Sequence, residues 1–598
     1  MTGDTSGAQA PSTDAAAALI GALVAGGVRH LVLSPGSRSQ ALALVAAEFE
    51  RRGAVRLHVR IDERVAGFVA LGIGRETGMP AALVCTSGTA TANYLPAVLE
   101  AHHAGVPLIL LTADRPPELR GIGANQATRQ PGLYAGFTRW DADLPVPTEV
   151  DRSGGSDQTT MLRQTAGEAL AAARGETGRP AGPVHLNLPY RDPLAGALPT
   201  WLAARAGADA SDAAPPEPSG ALYQGGGGIG GSEGAHEASA TDTDLGTVLE
   251  RGPRTVVVAG ADAGAGAEAL AHEGGWPLIA EIVSGARFGR HLVHGYRALL
   301  ADPALGGRVE RVVVFGHPTL SREVASLLSR DDLTVLAVRG PGEALNLNGS
   351  TLQVDAVSVA PGAADREWLG AWMRASQAAS VDLSPPAPDP DALSSAVPDE
   401  RLPAIAAELA VLRAPVDRAA LVDAVWRATW PHDRLMFGSS RLVRVADSLL
   451  GGKKVRVHAN RGLAGIDGTI ATATGIALAS QDAVGGAAAG VTRVLLGDLA
   501  MLHDVGALLV PPAEPSPRIQ VIVGNDGGGT IFDGLEVAGV AAPEAMDRVL
   551  YTPHEVRLEA IASAYGWEYR RAATRSELDQ ALTSGSASRL LIEVPLTR

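Results

Sequence analysis

Short apolar runs alternate with helical patterns along most of the 598-residue chain. Each run is short enough to be a strand, and the stretches between runs have helical spacing of their apolar positions. Apolar runs of this kind are typical of parallel strands that helices cover on both faces. The chain is therefore expected to be α/β, with doubly wound parallel sheets. The predicted strands are His30 to Leu33, Ala81 to Cys85, Pro107 to Thr112, Val184 to Leu188, Thr255 to Ala259, Pro277 to Ala280, Val312 to Phe315, Leu333 to Val338, Val494 to Leu496 and Ile519 to Val523.

Two stretches interrupt this alternation and divide the chain into three α/β units. Residues 203–246 are dominated by Ala, Gly, Ser, Pro and acidic residues, a composition typical of a flexible linker or insert. A second linker is expected at 384–413, which begins with the sequence SPPAPDP. The predicted domains are residues 1–202, 247–383 and 414–598.

Composition narrows the class of protein. The length suits about three or four domains of ordinary size. The formal net charge of −15 argues against a general surface for nucleic acid or anionic membranes, so the expected partners are small molecules. No apolar run reaches the roughly 20 residues of a membrane span. The apolar run from Ala15 to Ala25 has no basic segment before it, so a cytoplasmic protein is expected.

Cysteine and lysine are nearly absent, which excludes several kinds of chemistry. Cys85 is the single cysteine, so disulfide frameworks, thiolate zinc sites and iron–sulfur clusters are excluded, and a buried packing role is expected for it. The only lysines are Lys453 and Lys454. This count argues against Schiff-base chemistry, and the chain has no G-x-x-x-x-G-K-[ST] phosphate-binding loop.

A metal-binding turn is predicted in the third unit. Asp498 follows one predicted strand, and Asn525 follows the next, 525 − 498 = 27 residues later. Adjacent parallel strands end at the same edge of a sheet, so the two side chains can converge there. A carboxylate, an amide oxygen and a glycine carbonyl suit a hard cation such as Mg²⁺, and they leave positions for phosphate oxygens and water. The glycines after Asn525 let the backbone approach a diphosphate closely.

This pair of turns carries a resemblance to a known family. Gly497-Asp498 followed by Asn525-Asp526-Gly527 resembles the metal and diphosphate signature of thiamine diphosphate enzymes. The resemblance implies thiamine diphosphate as cofactor. It also implies Mg²⁺ or Mn²⁺ held by the side chains of Asp498 and Asn525 and by the Gly527 carbonyl. Leu499 stands where the family usually has glycine, and this difference limits which branch of the thiamine diphosphate enzymes the chain can resemble.

The order of the domains is similar to that in thiamine diphosphate enzymes of the pyruvate oxidase type. The resemblance implies a pyrimidine-binding domain at 1–202, a central domain at 247–383 and a diphosphate-binding domain at 414–598. In such proteins the cofactor lies between the first domain of one subunit and the third domain of another. A homodimer is then the smallest active assembly, and a homotetramer is the other expected form.

Glu63, in the sequence RIDERVAGFVALGIGRETG, resembles the catalytic glutamate of these enzymes. Thiamine chemistry requires loss of the thiazolium C2 proton. A carboxylate bonded to the pyrimidine N1′ favours the imino tautomer that accepts this proton. The alternative is an ordinary acidic residue at a helix N-terminus, favoured there by the helix dipole. The Gly- and Ala-rich helix that follows Glu63 suits close packing between subunits.

Three further motifs narrow the resemblance to one family. They are SPGSRS (34–39), TSGTATAN (86–93) and LTADRPPELRGIGANQATRQ (111–130). Together they resemble the 2-succinyl-5-enolpyruvyl-6-hydroxy-3-cyclohexene-1-carboxylate (SEPHCHC) synthase family, which joins 2-oxoglutarate to isochorismate in menaquinone biosynthesis. Both substrates are anions. Because burying an unpaired carboxylate is costly, their pocket must supply fixed cations, which gives a physical reason for arginines in an acidic protein.

The resemblance also implies individual site residues. Ile466, in the sequence AGID, resembles the bulky residue that holds the cofactor in a bent form. In the central domain the family often has a Lys-Arg pair where this chain has Ser321-Arg322. Taken alone, an arginine is more often a solvated surface residue than a ligand. The implied substrate-pocket residues are Ser37, Arg38, Arg115, Gln126, Arg322, Ser440, Arg444, Arg461, Ile531, Phe532 and Leu535.

Three functions are therefore open from the sequence. The first is decarboxylation of 2-oxoglutarate followed by addition of the four-carbon unit to isochorismate. The second is another thiamine diphosphate decarboxylase or carboligase, which has less need for so many arginine-bearing motifs. The third is a noncatalytic α/β protein with a nucleotide-binding or regulatory role. Gly260, Gly264 and Gly266 miss the G-x-G-x-x-G spacing, so they favour a structural turn over such a site.

Overall fold

The computed structural model describes residues 10–149, 157–203, 246–340, 342–482, 490–585 and 588–598. Almost all of the predicted insert at 203–246 lies outside these residues. Three large parallel sheets and one small two-stranded sheet are present, which confirms the α/β class with several doubly wound sheets. Among the described helices, none is long and apolar enough to cross a membrane.

The first sheet has six parallel strands in the order β2-β1-β3-β4-β6-β5. Its central strands are buried along their whole length, as continuous apolar runs predict. The strands are β1 His30–Leu33, β2 Arg56–Val59, β3 Ala81–Cys85, β4 Leu108–Asp114, β5 Trp140–Asp143 and β6 Pro183–Pro189. The helices are α1 Pro11–Ala25, α2 Gln40–Arg51, α3 Glu63–Thr77, α4 Thr89–Ala92, α5 Leu95–Ala104, α6 Asp157–Ala173 and α7 Thr200–Ala203.

The central region contains a five-stranded parallel sheet, β12-β11-β10-β8-β9, and the two-stranded sheet β13-β7. Its strands are β7 Thr247–Leu249, β8 Thr255–Ala259, β9 Leu278–Ala280, β10 Arg311–Phe315, β11 Thr334–Val338, β12 Leu352–Val354 and β13 Val357–Val359. Its helices are α8 Gly266–Gly274, α9 Tyr296–Ala301, α10 Arg322–Leu328 and α11 Arg366–Ala378. The stretch expected as a linker at 384–413 contains two helices, α12 Pro390–Ser394 and α13 Pro398–Arg413.

The third sheet repeats the strand order of the first, with its second strand at one edge and its fifth at the other: β15-β14-β16-β17-β19-β18. The strands are β14 Arg434–Phe437, β15 Arg456–Ala459, β16 Thr492–Gly497, β17 Ile519–Asn525, β18 Glu568–Arg571 and β19 Arg589–Pro595. The helices are α14 Arg418–Ala428, α15 Arg441–Leu449, α16 Thr469–Asp482, α17 Asp498–His503, α18 Pro543–Met546, α19 Leu558–Ala564 and α20 Arg575–Thr583.

Helices α3 and α16 join the first and third units within one chain. A Cβ atom added to Gly72 would lie 2.0 Å from the Thr472 carbonyl oxygen, and one added to Gly475 would lie 2.0 Å from the Val69 carbonyl oxygen. Only glycine therefore permits this helix contact. The small residues of α3 suggested packing between subunits, and the structure shows that they pack closely inside the chain.

Candidate active site

The two predicted metal ligands follow neighbouring strands. In the third sheet β16 pairs in parallel with β17, and Gly497 lies opposite Gly524. Asp498, the first residue of α17, directly follows Gly497, and Asn525 directly follows Gly524, so both stand at the carboxyl edge of the sheet. Asn525 is the last residue of β17, whereas the sequence suggested that the strand ends at Val523. The convergence expected from parallel strands is present.

Asp498 is buried and fully engaged. Its Oδ1 accepts a hydrogen bond from the Leu499 N–H at 2.8 Å, and its Oδ2 accepts one from the Gly528 N–H at 2.8 Å. The same Oδ2 lies 3.1 Å from Nε2 of His554. Burial, followed by the nearby Asp526 carboxylate, raises the pKa of Asp498. The carboxylate is therefore held in one orientation at the edge of the sheet.

Asn525 is oriented from the neighbouring strand. Its Nδ2 donates to Oε1 of Glu593 at 2.8 Å, and the Tyr569 hydroxyl donates to the other oxygen of Glu593 at 2.6 Å. The Oδ1 of Asn525 accepts a hydrogen bond from the Gly527 N–H at 3.1 Å. An ionised Glu593 can only accept hydrogen bonds, so the Asn525 atom that faces it must be the amide nitrogen. The other end of the amide is then the oxygen. That oxygen faces the glycine turn.

The turn after Asn525 requires glycine. Gly527 has φ +70° and Gly528 has φ +146°, values that favour glycine over other residues. A Cβ atom added to Gly528 would lie 2.4 Å from the Tyr551 carbonyl oxygen. The Gly527 carbonyl accepts a hydrogen bond from Arg598 at 3.0 Å. A carboxylate, an amide oxygen and a peptide carbonyl beside a turn without side chains fit a divalent cation that carries a diphosphate.

Glu63 is the first residue of α3, but it is not the helix cap. Asp62 is the cap, and its Oδ1 accepts a hydrogen bond from the Arg64 N–H at 2.8 Å. The half-buried Glu63 carboxylate forms no hydrogen bond or ion pair with any residue that the structure describes. Arg64 donates to the carbonyl oxygen of His503, the last residue of α17. Glu63 thus has an uncommitted carboxylate near the far end of the helix that Asp498 begins.

The predicted substrate residues of the first domain meet around TSGTATAN. The Arg115 Nη1 donates to the Ser87 hydroxyl at 2.8 Å, and the Gln126 Nε2 donates to the Ser87 carbonyl at 3.0 Å. The Arg38 backbone N–H donates to the Thr86 hydroxyl at 3.3 Å. Gln126 has φ +54°, so its backbone adopts the left-handed conformation that few side chains tolerate. Three separate motifs therefore come together at the predicted substrate pocket.

Two buried arginines share this pocket. Burial, and then the charge of Arg38, lower the pKa of Arg115. The Arg38 Nη1 donates to the Tyr190 carbonyl at 3.0 Å, while its Nε has no hydrogen-bond partner among the described residues. Asp192, 3.8 Å from Arg38, is largely exposed to solvent. Ser37 is exposed beside them. Neighbouring guanidinium groups with spare donors suit a carboxylate ligand.

A second group of arginines lies where the central and third units meet. Buried Arg461 donates through Nε to the Thr319 hydroxyl at 2.8 Å and through Nη2 to the Thr319 carbonyl at 3.0 Å. Partial burial, followed by Arg297 and Arg322, lowers the pKa of Arg444. The predicted central-domain residue Arg322 therefore does lie near Arg444. It also forms an exposed ion pair with Glu536 at 2.8 Å.

The remaining predicted residues flank this second group. Ser440 caps α15, because its hydroxyl accepts a hydrogen bond from the Leu442 N–H at 3.2 Å. Ile531 and Phe532 are half-buried in a short 3₁₀ helix, Thr530–Gly534. Leu535 and Ile466 are 37% and 39% exposed, so both leave apolar surface open at this place. Exposed apolar side chains beside cationic groups suit a ligand with an apolar ring and carboxylates.

The predicted residues thus form two half-sites. One consists of Ser37, Arg38, Arg115 and Gln126, and the other consists of Arg322, Ser440, Arg444 and Arg461. No hydrogen bond or ion pair connects the two sets within the described parts of the chain.

Sequence reasoning missed four residues that support the site: Ser87, Thr319, His554 and Glu593. Ser87 lies inside the motif TSGTATAN, so its motif membership was an available signal. Glu593 is 68 residues from Asn525, and His554 is 56 residues from Asp498. Nothing in the local sequence marks either one, because tertiary packing alone brings them to the turn.

Comparison with known proteins decides the family. Residues 13–133 match the family described as thiamine pyrophosphate enzyme, N-terminal TPP binding domain. SEPHCHC synthase from Leifsonia xyli subsp. xyli is 53% identical, with 98% of this chain and 97% of that protein aligned. The chain belongs to the SEPHCHC synthase family. The SEPHCHC synthase from Clavibacter michiganensis subsp. michiganensis is also 53% identical, over 98% and 97% of the two chains. That from Kineococcus radiotolerans is 42% identical, over 98% and 96%.

Family membership agrees with the architecture and with the predicted chemistry. SEPHCHC synthases are thiamine diphosphate enzymes, and the three-unit α/β fold is that of the pyruvate oxidase type. The predicted class, a thiamine diphosphate-dependent synthase that forms a carbon–carbon bond, is confirmed. The noncatalytic alternative has no support from these relatives.

Proposed function

We propose that this SEPHCHC synthase family member decarboxylates 2-oxoglutarate and adds the resulting four-carbon unit to isochorismate. The product is 2-succinyl-5-enolpyruvyl-6-hydroxy-3-cyclohexene-1-carboxylate, an intermediate of menaquinone biosynthesis. The observation that carries the proposal is the pairing of an oxygen-donor turn at Asp498 and Asn525 with two separate groups of arginines. One arginine group suits each of two anionic substrates.

The glycine turn is the proposed anchor for the cofactor. The side chains of Asp498 and Asn525 and the Gly527 carbonyl would hold Mg²⁺ or Mn²⁺, which would carry the diphosphate. When bound, thiamine diphosphate supplies the electron sink that allows a 2-oxoacid to lose CO₂. Glu593 and the Gly528 N–H keep the two side chains in place through the hydrogen bonds described above.

Glu63 is the proposed catalytic residue. Its uncommitted carboxylate would accept a hydrogen bond at the pyrimidine N1′ and hold a proton there, favouring the imino form. Ile466, whose side chain is exposed on the third domain, would pack against the cofactor and keep it bent. Both roles need a cofactor that touches the first and third domains at once.

The arginines would bind and orient the substrate carboxylates. Arg38 and Arg115 are buried, so their charges are little screened by solvent, and their hydrogen bonds hold them in fixed positions. On the other half-site, Arg444, Arg461 and Arg322 would face carboxylates while Ile531, Phe532 and Leu535 contact the ring. No hydrogen bond or ion pair joins the two half-sites within the described parts of one chain, and this supports a homodimer or homotetramer with active sites between subunits. The cytoplasmic location stays a prediction.

Product identification tests the proposal. The full-length protein with thiamine diphosphate and Mg²⁺ is incubated with 2-oxoglutarate and isochorismate, and the products are identified by mass spectrometry. The coupled product, formed only when both substrates are present, is expected. Free succinic semialdehyde as the only product would instead indicate a simple decarboxylase. Absence of any turnover despite cofactor binding would reject both reactions.

A further inference from the structure

A cluster of two histidines and a glutamate, none of them a candidate active-site residue, lies between the first and central units. His102 and His103 are in the last turn of α5, and Glu343 belongs to a loop of the central unit. The His102 Nε2 lies 3.6 Å from one oxygen of Glu343, and the His103 Nδ1 lies 3.3 Å from the other. One ligand atom from each residue lies within 4.8 Å of the others.

Two of these spacings are close to the edge of a zinc coordination shell. With Zn–N bonds of about 2.0–2.1 Å, the ligand atoms of a tetrahedral site lie about 3.3–3.4 Å apart. The two nitrogen–oxygen distances, 3.3 and 3.6 Å, run to different oxygens of Glu343, and each is close to that value. Neither contact is a hydrogen bond, and neither His103 nor Glu343 forms one elsewhere in the described chain. Three donor groups therefore face one another without bonding to one another.

His102 is oriented as metal-binding histidines are. Its Nδ1 lies 2.7 Å from the Phe137 carbonyl oxygen, a partner that can only accept. The donor Arg139 Nη1 also lies 3.2 Å from this Nδ1, but the shorter Phe137 contact assigns the proton to Nδ1, which leaves the Nε2 lone pair facing Glu343. The Phe137 ring packs edge-on against the imidazole, with 5.8 Å between ring centroids.

The backbone holds the two sides of the cluster together. Gly342, at φ +91°, approaches so closely that an added Cβ atom would lie 2.2 Å from the His103 carbonyl oxygen. The C-terminal end of α5 also carries the negative pole of the helix, which favours a cation.

Arg139 opposes a cation, since its Nη1 lies 3.2 Å from the His102 Nδ1, on the side away from Glu343. Because the positive charge of Arg139 repels a cation, only a metal ion with high affinity for imidazole is expected to bind here.

We infer that His102, His103 and Glu343 form a binding site for a divalent transition-metal ion of the zinc class, which joins the first domain to the central domain. Imidazole nitrogens and a carboxylate suit Zn²⁺ far better than Mg²⁺. Glu343 is 60% exposed at its side chain, which gives the ion a path of entry and leaves room for a water ligand. The competing explanation is a simple ion pair between a protonated His103 and Glu343.

Zinc titration distinguishes the two explanations. The full-length protein, freed of any affinity tag and of bound metal, is saturated with thiamine diphosphate and Mg²⁺ so that the cofactor turn is occupied. Zn²⁺ is then added in a calorimeter, and Co²⁺ is used in parallel as a spectroscopic probe. One saturable equivalent of Zn²⁺ per chain is expected, with intense visible Co²⁺ bands typical of tetrahedral coordination. Absence of a saturable equivalent would overturn the inference.

Two variants and one control locate the bound ion. Glu343→Gln and His103→Ala are each expected to weaken Zn²⁺ binding at least about tenfold. Glu367→Gln, which changes another exposed glutamate of the central unit, should leave the affinity unchanged. Zn²⁺ should also raise the melting temperature of the wild-type protein more than that of Glu343→Gln. Zn²⁺ binding that is equally tight in all three variants would show an adventitious site and overturn the inference.

Discussion

The carboxylate of Glu100, in the first unit, accepts a hydrogen bond at 2.8 Å from the N–H of Gly462, in the third unit. Its second oxygen accepts one from the Leu463 N–H, also at 2.8 Å. Arg75 lies 3.7 Å from Glu100, and it forms an ion pair with Asp262 of the central unit at 2.8 Å. One chain of contacts, buried at Glu100 and Arg75, thus links all three units to the loop that carries two candidate site residues, Arg461 and Ile466.

Replacement of Glu100 should loosen this loop. Glu100→Ala leaves two partly buried N–H groups without their acceptor, and each lost hydrogen bond is expected to cost about 0.5–1.5 kcal/mol of folding free energy. Urea denaturation measures the loss, and steady-state kinetics should show a raised KM because Arg461 is less well held. Glu168→Ala, at an exposed position of α6, is the control. Wild-type stability and KM in Glu100→Ala would contradict this role.

Glu63→Gln should remove turnover while the cofactor still binds. Glutamine keeps the size of the side chain but lacks the negative charge of the carboxylate, which favours the imino form of the cofactor. A fall of about 10²–10⁴-fold in kcat is therefore expected. Binding of thiamine diphosphate, followed by quenching of intrinsic fluorescence, should change little. Glu176→Gln, at an exposed first-domain site, should keep full activity. Unchanged turnover in Glu63→Gln would reject the catalytic role.

Mixing two inactive variants tests the assignment of the half-sites to different subunits. Glu63→Gln damages the first-domain half, and Asp498→Ala damages the third-domain half. If each active site draws on two chains, a mixed dimer contains one intact site, so unfolding and refolding the two variants together should restore activity that neither has alone. Size-exclusion chromatography monitors assembly. An inactive mixture that nevertheless forms dimers would place both halves of the site in the same chain.

Asp504 should make stability depend on pH. Burial raises its pKa from 3.8 to about 7, although its Oδ2 accepts hydrogen bonds from the Ile470 and Ala471 N–H groups. Between these two values the folded chain holds a proton that the unfolded chain has released. The free energy of unfolding should therefore fall as pH rises from about 4 to about 7. Glu281, whose pKa is raised to about 8, adds a slope of the same sign.

Asp504→Asn isolates this contribution. The amide oxygen can accept the same two N–H groups, and the amide nitrogen takes the place of Oδ1, which has no hydrogen-bond partner in the described chain. Denaturant unfolding at several pH values should give a smaller slope for the variant than for the wild type. Equal slopes would show that Asp504 is already ionised in the folded protein.

The sheets were predictable because continuous apolar runs mark buried parallel strands. The structure has strands β1, β3 and β8 at the predicted residues, and Asp498 lies beside Asn525 because parallel strands end at one edge. The helix Pro398–Arg413 was not predicted, because it contains prolines and its apolar and polar residues do not separate into two faces.

The contacts that support the site residues could not be predicted from the sequence. Glu593 fixes the Asn525 amide only because β19 pairs with β17, and no local pattern sets that pairing. Thr319 meets Arg461 across two units, so their contact depends on how those units pack. Motifs identify the residues that touch ligands, whereas tertiary packing selects the residues that hold them.

Release of CO₂ from 2-oxoglutarate, measured with and without isochorismate, tests the proposed function most directly. With thiamine diphosphate and Mg²⁺ present, CO₂ release should rise when isochorismate is added and should equal the amount of coupled product formed. CO₂ release that does not depend on isochorismate, with no coupled product, would contradict the proposed synthase reaction.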